Sequence, residues 1–133
     1  MYKKISNNEK ITRKISEVHS ADNYLTKETT ENVSLAVTKL SGKLASSKIS
    51  NERVYYFISA DVNFIINDEK VHCNSGDVLY LDKDTTYSAE GNFEAVTVNV
   101  PAFGVLKWYF YIKFDVENFT CFYKFRIINK VDR

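Results

Sequence analysis

Apolar and polar residues alternate along much of this chain with a period of two, which is the pattern of strands that are buried on one face. The alternation runs through Lys10–Val18 and again through Val33–Leu40, so each segment is predicted to be a half-buried strand. The residues between them, 20–32, are polar and rich in turn formers. They predict an irregular connection with a short strand at Tyr24 and Leu25.

The middle of the chain predicts short strands separated by tight turns. β-Branched and aromatic residues are concentrated in six runs, and Pro101 ends the last one. The predicted strands are Arg53–Ser59, Val62–Ile66, Lys70–Cys73, Val78–Leu81, Thr86–Ala89 and Phe93–Val100. The predicted polar or glycine-containing turns are Asn67–Asp68, Asn74–Asp77, Asp82–Asp84 and Glu90–Asn92. This arrangement indicates an all-β sandwich or barrel.

Aromatic residues are concentrated near the C-terminus, where residues 105–133 hold nine of them. They fall in two β-like runs on either side of a turn at Asp115–Asn118. This segment is therefore predicted to form a final hairpin that closes the barrel or covers its edge. The alternative is a dimer face, because exposed aromatic strands aggregate unless a second subunit buries them.

Length and charge indicate a single domain and argue against some classes of partner. The 133 residues fit one domain, 1–133, with a core at about 33–104 and the aromatic extension at about 105–133. A formal net charge of +1 without a basic stripe argues against nucleic acid as a partner. The N-terminal sequence is polar and no run approaches the ~20 apolar residues that cross a bilayer, so a cytoplasmic protein without membrane contact is expected. The two cysteines, Cys73 and Cys121, are expected to be reduced thiols.

Three segments carry a resemblance to a known family. Glu52–Ala60, with the sequence ERVYYFISA, resembles the first cupin motif, and Gly76–Leu81, with the sequence GDVLYL, resembles the start of the second. Val98–Gly104, with the sequence VNVPAFG, is similar to the close of small single-domain cupins. The resemblance implies an all-β, cupin-like double-stranded β-helix, a jelly-roll barrel of about ten short antiparallel strands.

The resemblance also implies where metal ligands would stand. Cupins usually hold a metal with three histidines and one glutamate. Carried onto this chain, the glutamate position is Arg53, and the second-motif histidine position is Tyr87. The first-motif histidine positions are Ser46 and Lys48, or Ser47 and Ile49 if the spacing is shorter by one residue. These are poor ligands for a transition ion, and an arginine would repel it, so neither a metal nor another cofactor is expected.

Strand alternation gives candidate ligand-binding residues in the barrel interior. It points Arg53, Tyr55 and Phe57 inward from one strand and Thr85, Tyr87 and Ala89 inward from another. The functional interpretation is a pocket for an anionic or hydroxyl-rich small molecule, in which Arg53 binds a carboxylate or phosphate. In the alternative interpretation the aromatic residues simply fill the barrel, and Arg53 lies at the rim and pairs with Asp61 or Glu69.

Three functions remain open. The first is a metal-free, non-catalytic protein that binds a small polar metabolite; by analogy with small cupins, a sugar or sugar derivative is expected. The second is a metal-independent sugar isomerase or epimerase, with Tyr87 as acid and His72 or Tyr55 as its partner. Strand parity argues against His72, because an inward Cys73 turns His72 toward solvent. The third is a structural or dimerisation module with a filled barrel, and a homodimer is expected.

Overall fold

Antiparallel strands make up nearly all of the regular structure. The computed structural model describes the backbone of residues 1–105, 108–115 and 120–127, and the side chains of residues 1–105. A 3-10 helix at Asn7–Glu9 precedes strands β1 (Ile11–Lys14), β2 (His19–Leu25), β3 (Ser34–Lys48), β4 (Glu52–Ile66), β5 (Glu69–Asn74), β6 (Val78–Leu81), β7 (Thr86–Val100), β8 (Trp108–Asp115) and β9 (Thr120–Ile127). The predicted all-β class is confirmed.

Seven of these strands form one sheet, in the order β1-β2-β3-β7-β4-β5, and β6 also pairs with β4. One edge of β4 is shared, because residues 61–66 pair with β5 and residues 53–56 pair with β6. The other edge pairs with β7 along almost its whole length. Strands β8 and β9 form a separate two-stranded sheet. Three 15-residue strands, β3, β7 and β4, therefore lie side by side and form the walls of the interior.

Strand β4 is continuous, so the prediction of two strands, Arg53–Ser59 and Val62–Ile66, is wrong. A bulge at Ile58 places one extra residue in β4 opposite β7. Because side chains alternate along a strand, the extra residue changes which positions face inward. Buried positions are odd-numbered before the bulge, as at Phe57, and even-numbered after it, as at Val62. The bulge keeps both halves of a long strand in the same core.

Strand β7 is also continuous, and the predicted turn at Glu90–Asn92 is wrong. Gly91 lies inside the strand with φ +136°, and it pairs with Gly42 of β3, which has φ +140°. A Cβ atom at Gly91 would lie 2.8 Å from the Cα atom of Val62 and would collide with the carbonyl oxygen of Asp61. The glycine therefore marks a close approach of β4 to β7 rather than the end of a strand.

The N-terminal half also differs from its predicted boundaries. The segment expected to be irregular contains a seven-residue strand, His19–Leu25, paired with β3. Strand β3 continues to Lys48, beyond the predicted end at Leu40, through a bulge between Leu44 and Ser47. Polar side chains at the ends of these strands made the sequence look like a loop. Tertiary pairing stabilises them as strands despite their weak intrinsic preference.

Other predicted features are confirmed. Asn67 and Asp68 have φ +48° and +68° and connect β4 to β5 as a two-residue hairpin turn. Strand β6 has the predicted bounds, Val78–Leu81. The two C-terminal runs are strands and pair antiparallel. Asp115 ends β8, and the remainder of the turn predicted at Asp115–Asn118 lies outside the described residues. Within the described ranges, no helix has the length and apolar character needed to cross a bilayer.

Candidate ligand-binding site

Arg53 is a charged residue in the interior of the barrel. It lies near the start of β4, where odd-numbered residues face inward, and its exposed fraction is 1%. The alternative that places Arg53 at the rim is therefore wrong. A buried guanidinium is costly unless its N–H groups are hydrogen-bonded, so its partners define the local structure.

Two side chains of β7 accept hydrogen bonds from the guanidinium. Arg53 Nε donates to Asn99 Oδ1 over 2.7 Å, and Arg53 Nη1 donates to Tyr87 Oη over 2.7 Å. The guanidinium carbon also lies 5.9 Å from the centre of the Tyr87 ring, within the range of a cation–π contact. One side chain of β4 is thus fixed by two side chains of β7.

The bond to Tyr87 shows how strongly the sheet curls. Arg53 pairs with Asn99 in the β4–β7 register, whereas Tyr87 pairs with Ile66, at the opposite end of β4. In a straight strand the Cα atoms of Tyr87 and Asn99 would be about 40 Å apart, yet both side chains contact one guanidinium. The Arg53–Tyr87 bond therefore spans the interior and joins the two ends of β7.

Asn99 has a buried donor group beside this arginine. A guanidinium only donates hydrogen bonds, so the amide oxygen of Asn99 must face Arg53 and its Nδ2 group must point elsewhere. Asn99 is 0% exposed, and Nδ2 has no hydrogen-bond partner among the described residues. Leaving a buried donor unsatisfied costs about 1–3 kcal/mol. An oxygen acceptor at this position would remove that cost.

Small and polar side chains surround Asn99. On β3, Ser34 pairs with Asn99 and Ala36 pairs with Thr97. A hydrogen bond of 2.7 Å joins the hydroxyls of Thr97 and Thr38. We call the buried polar residues of this region the polar cluster; they are Ser34, Thr38, Asn51, Arg53, Tyr87, Thr97 and Asn99. The interior is therefore polar on the side of β7 near its C-terminal end.

Aromatic rings fill the other part of the interior. Adjacent ring centres are 5.5–6.2 Å apart, so the rings are in contact. The aromatic cluster consists of Tyr55, Phe57, Phe64, Tyr87 and Phe93. Tyr87 belongs to both clusters, since its ring packs on Phe64 and its hydroxyl accepts from Arg53. Contact of Tyr55 or Phe57 with a ligand stays a prediction, because the structure shows them packed against other rings.

The remaining candidates lie elsewhere. Thr85 precedes β7 and is half-buried, and its backbone carbonyl accepts a hydrogen bond from Ile49. Cys73 is buried, and burial, followed by the charge of Asp77, raises the pKa of its thiol. His72 is exposed, as parity predicts. Its ring nitrogens contact oxygens of exposed or half-buried neighbours, namely Asn63, Asn74 and Asp61.

Two of the positions assigned from the cupin motifs lie next to each other. Arg53 and Tyr87 stand at two of the expected metal-ligand positions and are hydrogen-bonded to each other. Ser47 pairs with Tyr87 in the β3–β7 register, and Ile49 is fully buried. Nowhere in the described part of the chain do three or more histidine, cysteine, aspartate or glutamate residues form a group that could hold a metal.

Sequence reasoning did not identify Asn99. It stands in the run Val96-Thr97-Val98-Asn99-Val100, where alternation suggests that the valines are buried. The structure shows the opposite orientation, because Thr97 and Asn99 are buried and Val100 is exposed. The feature that could have identified Asn99 is its cross-strand partner Arg53, because a buried arginine needs a polar neighbour.

Solved structures show which fold this is. KdgF from Halomonas sp. aligns with 78% of this chain and 97% of its own, with 13% identity and a TM-score of 0.67. A predicted oxalate decarboxylase from Thermotoga maritima aligns with 74% and 99%, with 21% identity and a TM-score of 0.63. The cupin domain of Schizosaccharomyces pombe Cnp3 aligns with 68% of each chain, with 7% identity and a TM-score of 0.59. The chain has the cupin fold. No protein-family model and no curated protein sequence matches it.

These similarities establish the fold of the chain. Its chemistry has to be inferred from its own residues. At identities of 7–21%, the cupin fold alone is shared. Within this cupin barrel, the polar cluster lies in the interior and includes residues at two metal-ligand positions of the family motifs. The site is therefore best described by the donors and acceptors that this chain provides.

Proposed function

We propose that this protein is a metal-free, cupin-fold binding protein for a small polar metabolite that carries an anionic or hydroxyl oxygen. The observation that supports this most is the Arg53–Asn99 pair. The guanidinium is fixed by Asn99 and Tyr87, and the adjacent amide keeps a buried donor without a partner among the described residues. A preorganised donor in a buried position favours an oxygen acceptor.

The chemistry of the donors favours a carboxylate or hydroxyl over an amine. Asn99 Nδ2 can only donate, and the neighbouring guanidinium disfavours a second cation. A carboxylate accepts at both oxygens and forms stronger bonds with charged donors than a neutral group does. The choice of a sugar or sugar derivative rests on the resemblance to small cupins.

The same residues support recognition without a metal. A transition ion needs neutral imidazole or anionic donors, and the residues that converge here are a guanidinium, a phenol and an amide. The amide oxygen of Asn99 already accepts from Arg53, so the group that has no partner among the described residues is an N–H donor rather than a lone pair. Arg53 takes the place where a metal would need a carboxylate.

The first test compares two ligands that differ at one carbon. D-Glucuronate carries a carboxylate where D-glucose carries a hydroxymethyl group. We expect the wild-type chain to bind glucuronate more tightly in isothermal titration calorimetry. The variant Asn99→Asp replaces the donor by an acceptor of the same shape, and loss of about 2 kcal/mol would weaken glucuronate binding roughly 30-fold.

A loss of ligand binding in Asn99→Asp can be distinguished from a loss of folding. In Asn99→Asp, Arg53 gains a charged partner in place of the amide oxygen, so the thermal midpoint should not fall. Asn92→Asp is the matched control, because Asn92 is exposed and accepts a hydrogen bond from Ser41, which an aspartate can also accept. Wild-type protein that binds neither ligand, or an Asn99→Asp variant that binds glucuronate normally, would contradict the proposal.

No specific observation favours the isomerase or epimerase alternative. It needs a second proton-transfer group near Tyr87, and the hydrogen bonds of His72 go to Asn63 and Asn74. Tyr55 packs its ring on Phe57, Phe64 and Phe93. A catalytic role for Tyr87 therefore has less support than a structural one, which is to hold Arg53.

A further inference from the structure

Asn51 is a second buried amide of the polar cluster with one group left unsatisfied. Its exposed fraction is 6%, and its Nδ2 donates to the backbone carbonyl of Pro101 over 3.2 Å. A carbonyl oxygen only accepts hydrogen bonds, so the amide nitrogen must face Pro101 and the amide oxygen must point elsewhere. Asn51 Oδ1 has no hydrogen-bond partner among the described residues. Asn99 thus keeps a buried donor, and Asn51 keeps a buried acceptor.

The backbone places these two amides on the same inner face of the barrel. Asn51 and Arg53 are buried and Glu52 between them is exposed, so Asn51 faces the interior as Arg53 does. Because Arg53 pairs with Asn99, Asn51 is the diagonal neighbour of Asn99 across the two chain segments. Diagonal neighbours on one face of an antiparallel pair have Cα atoms about 7–8 Å apart. One small ligand can therefore contact both amides.

Backbone hydrogen bonds hold this end of the barrel in place. The N–H group of Ala102 donates to the carbonyl of Glu31 over 3.0 Å, and the N–H group of Phe103 donates to the hydroxyl of Ser34 over 2.8 Å. The chain after β7, which provides the carbonyl that orients Asn51, is thereby anchored to β3 and the residues before it. An amide held in this way loses little conformational freedom when a ligand binds.

The unsatisfied acceptor of Asn51 requires a ligand group that donates a hydrogen bond. A carboxylate oxygen would bring two acceptors together, so it does not satisfy Asn51 Oδ1. An ammonium group would donate, but the guanidinium of Arg53 on the same face disfavours a second cation. A hydroxyl donates without carrying a charge. It is therefore the group that best complements Asn51.

We propose that the ligand is a hydroxy acid, whose carboxylate accepts from Asn99 and whose neighbouring hydroxyl donates to Asn51. This inference rests on the proposed function and adds a second group to the ligand described there. In a 2-hydroxy acid the hydroxyl and the carboxylate are on adjacent carbons, which suits two neighbouring amides. A simple carboxylic acid would leave the oxygen of Asn51 buried without a donor, and this difference is the source of selectivity.

The test compares glycolate with acetate, which differ by one hydroxyl on the carbon next to the carboxylate. Dissociation constants are measured by NMR titration of the isotope-labelled full chain. We expect the wild-type chain to bind glycolate roughly tenfold more tightly than acetate. Asn51→Leu removes the amide oxygen with a side chain of similar size, so the ratio of the two affinities should fall to about one. Acetate is the internal reference for any general effect of this substitution.

Asn8→Leu is the matched control, because Asn8 is exposed in the 3-10 helix, and this variant should keep the wild-type ratio. If Asn51→Leu does not fold, the wild-type comparison decides the matter alone. Equal affinity of the wild-type chain for glycolate and acetate, which is also the result expected if water satisfies Asn51, would overturn the inference. So would a folded Asn51→Leu variant that still prefers glycolate. In both cases tight binding of glucuronate would leave the proposed function standing, whereas a wild-type chain that binds none of these acids contradicts both.

Discussion

At the scale of single residues, the hydrogen bond from Arg53 to Tyr87 stabilises a buried charge. Tyr87→Phe removes the phenol oxygen and leaves one guanidinium N–H without that acceptor. The expected loss in free energy of unfolding is about 1–3 kcal/mol, because a buried donor loses an acceptor that water does not replace. Urea denaturation followed by fluorescence or circular dichroism measures this loss.

Tyr55→Phe is the control for that experiment. Tyr55 belongs to the same aromatic cluster and has a similar burial, 4% exposed against 3% for Tyr87, and the structure describes no hydrogen bond from its hydroxyl to another described residue. Removing its hydroxyl should change stability by less than ~0.5 kcal/mol. Equal losses in the two variants would show that the Arg53–Tyr87 bond does not stabilise the fold.

Residue positions in the interior were predicted well where strand parity was unambiguous. Arg53, Phe57 and Tyr87 were all expected to face inward, and all are buried. Asn99 was missed because its neighbours are valines, and an apolar residue is normally the better candidate for burial. A buried arginine reverses that preference locally, since it needs polar partners that only the folded pairing brings together.

At the scale of secondary-structure elements, Gly91 allows β4 and β7 to approach closely. Gly91→Ala would place a methyl group against the backbone at Asp61 and Val62 and impose a strained φ of +136°. Because backbone cannot move aside as easily as a side chain, the expected loss of stability exceeds about 3 kcal/mol. Thermal unfolding followed by circular dichroism measures this effect.

Gly76→Ala separates the collision from the backbone strain. Gly76 also has a positive φ, +87°, but a Cβ atom there would meet nothing within 4 Å. The expected loss is therefore only the conformational cost, about 1–2 kcal/mol. A Gly91→Ala variant that is as stable as Gly76→Ala would contradict the proposed close packing of the two strands.

Element boundaries were harder to predict than element type. Bulges at Ile58 and between Leu44 and Ser47 shift the buried parity inside a strand, which in sequence resembles the end of one strand and the start of another. Gly91 suggests a turn because glycine is common in turns, although here it lies inside β7. These features depend on contacts between distant strands, so local patterns do not contain them.

At the scale of the whole molecule, the cupin barrel has a mixed polar and aromatic interior. The resemblance of three short segments to cupin motifs was sufficient to predict the fold. Binary patterning was not sufficient to predict which face of residues 96–100 in β7 is inside, because Thr97 and Asn99 line the interior and the three valines alternate with them on the other face. Such an inverted segment is consistent with an interior that binds a polar ligand.

Recognition by Arg53 and Asn99 without a metal can be tested by calorimetric titration of glucuronate before and after treatment with a chelator. We predict the same affinity in both titrations, since the proposed contacts come from side chains alone. Binding that disappears on chelation and returns when a divalent transition metal is added would contradict this account.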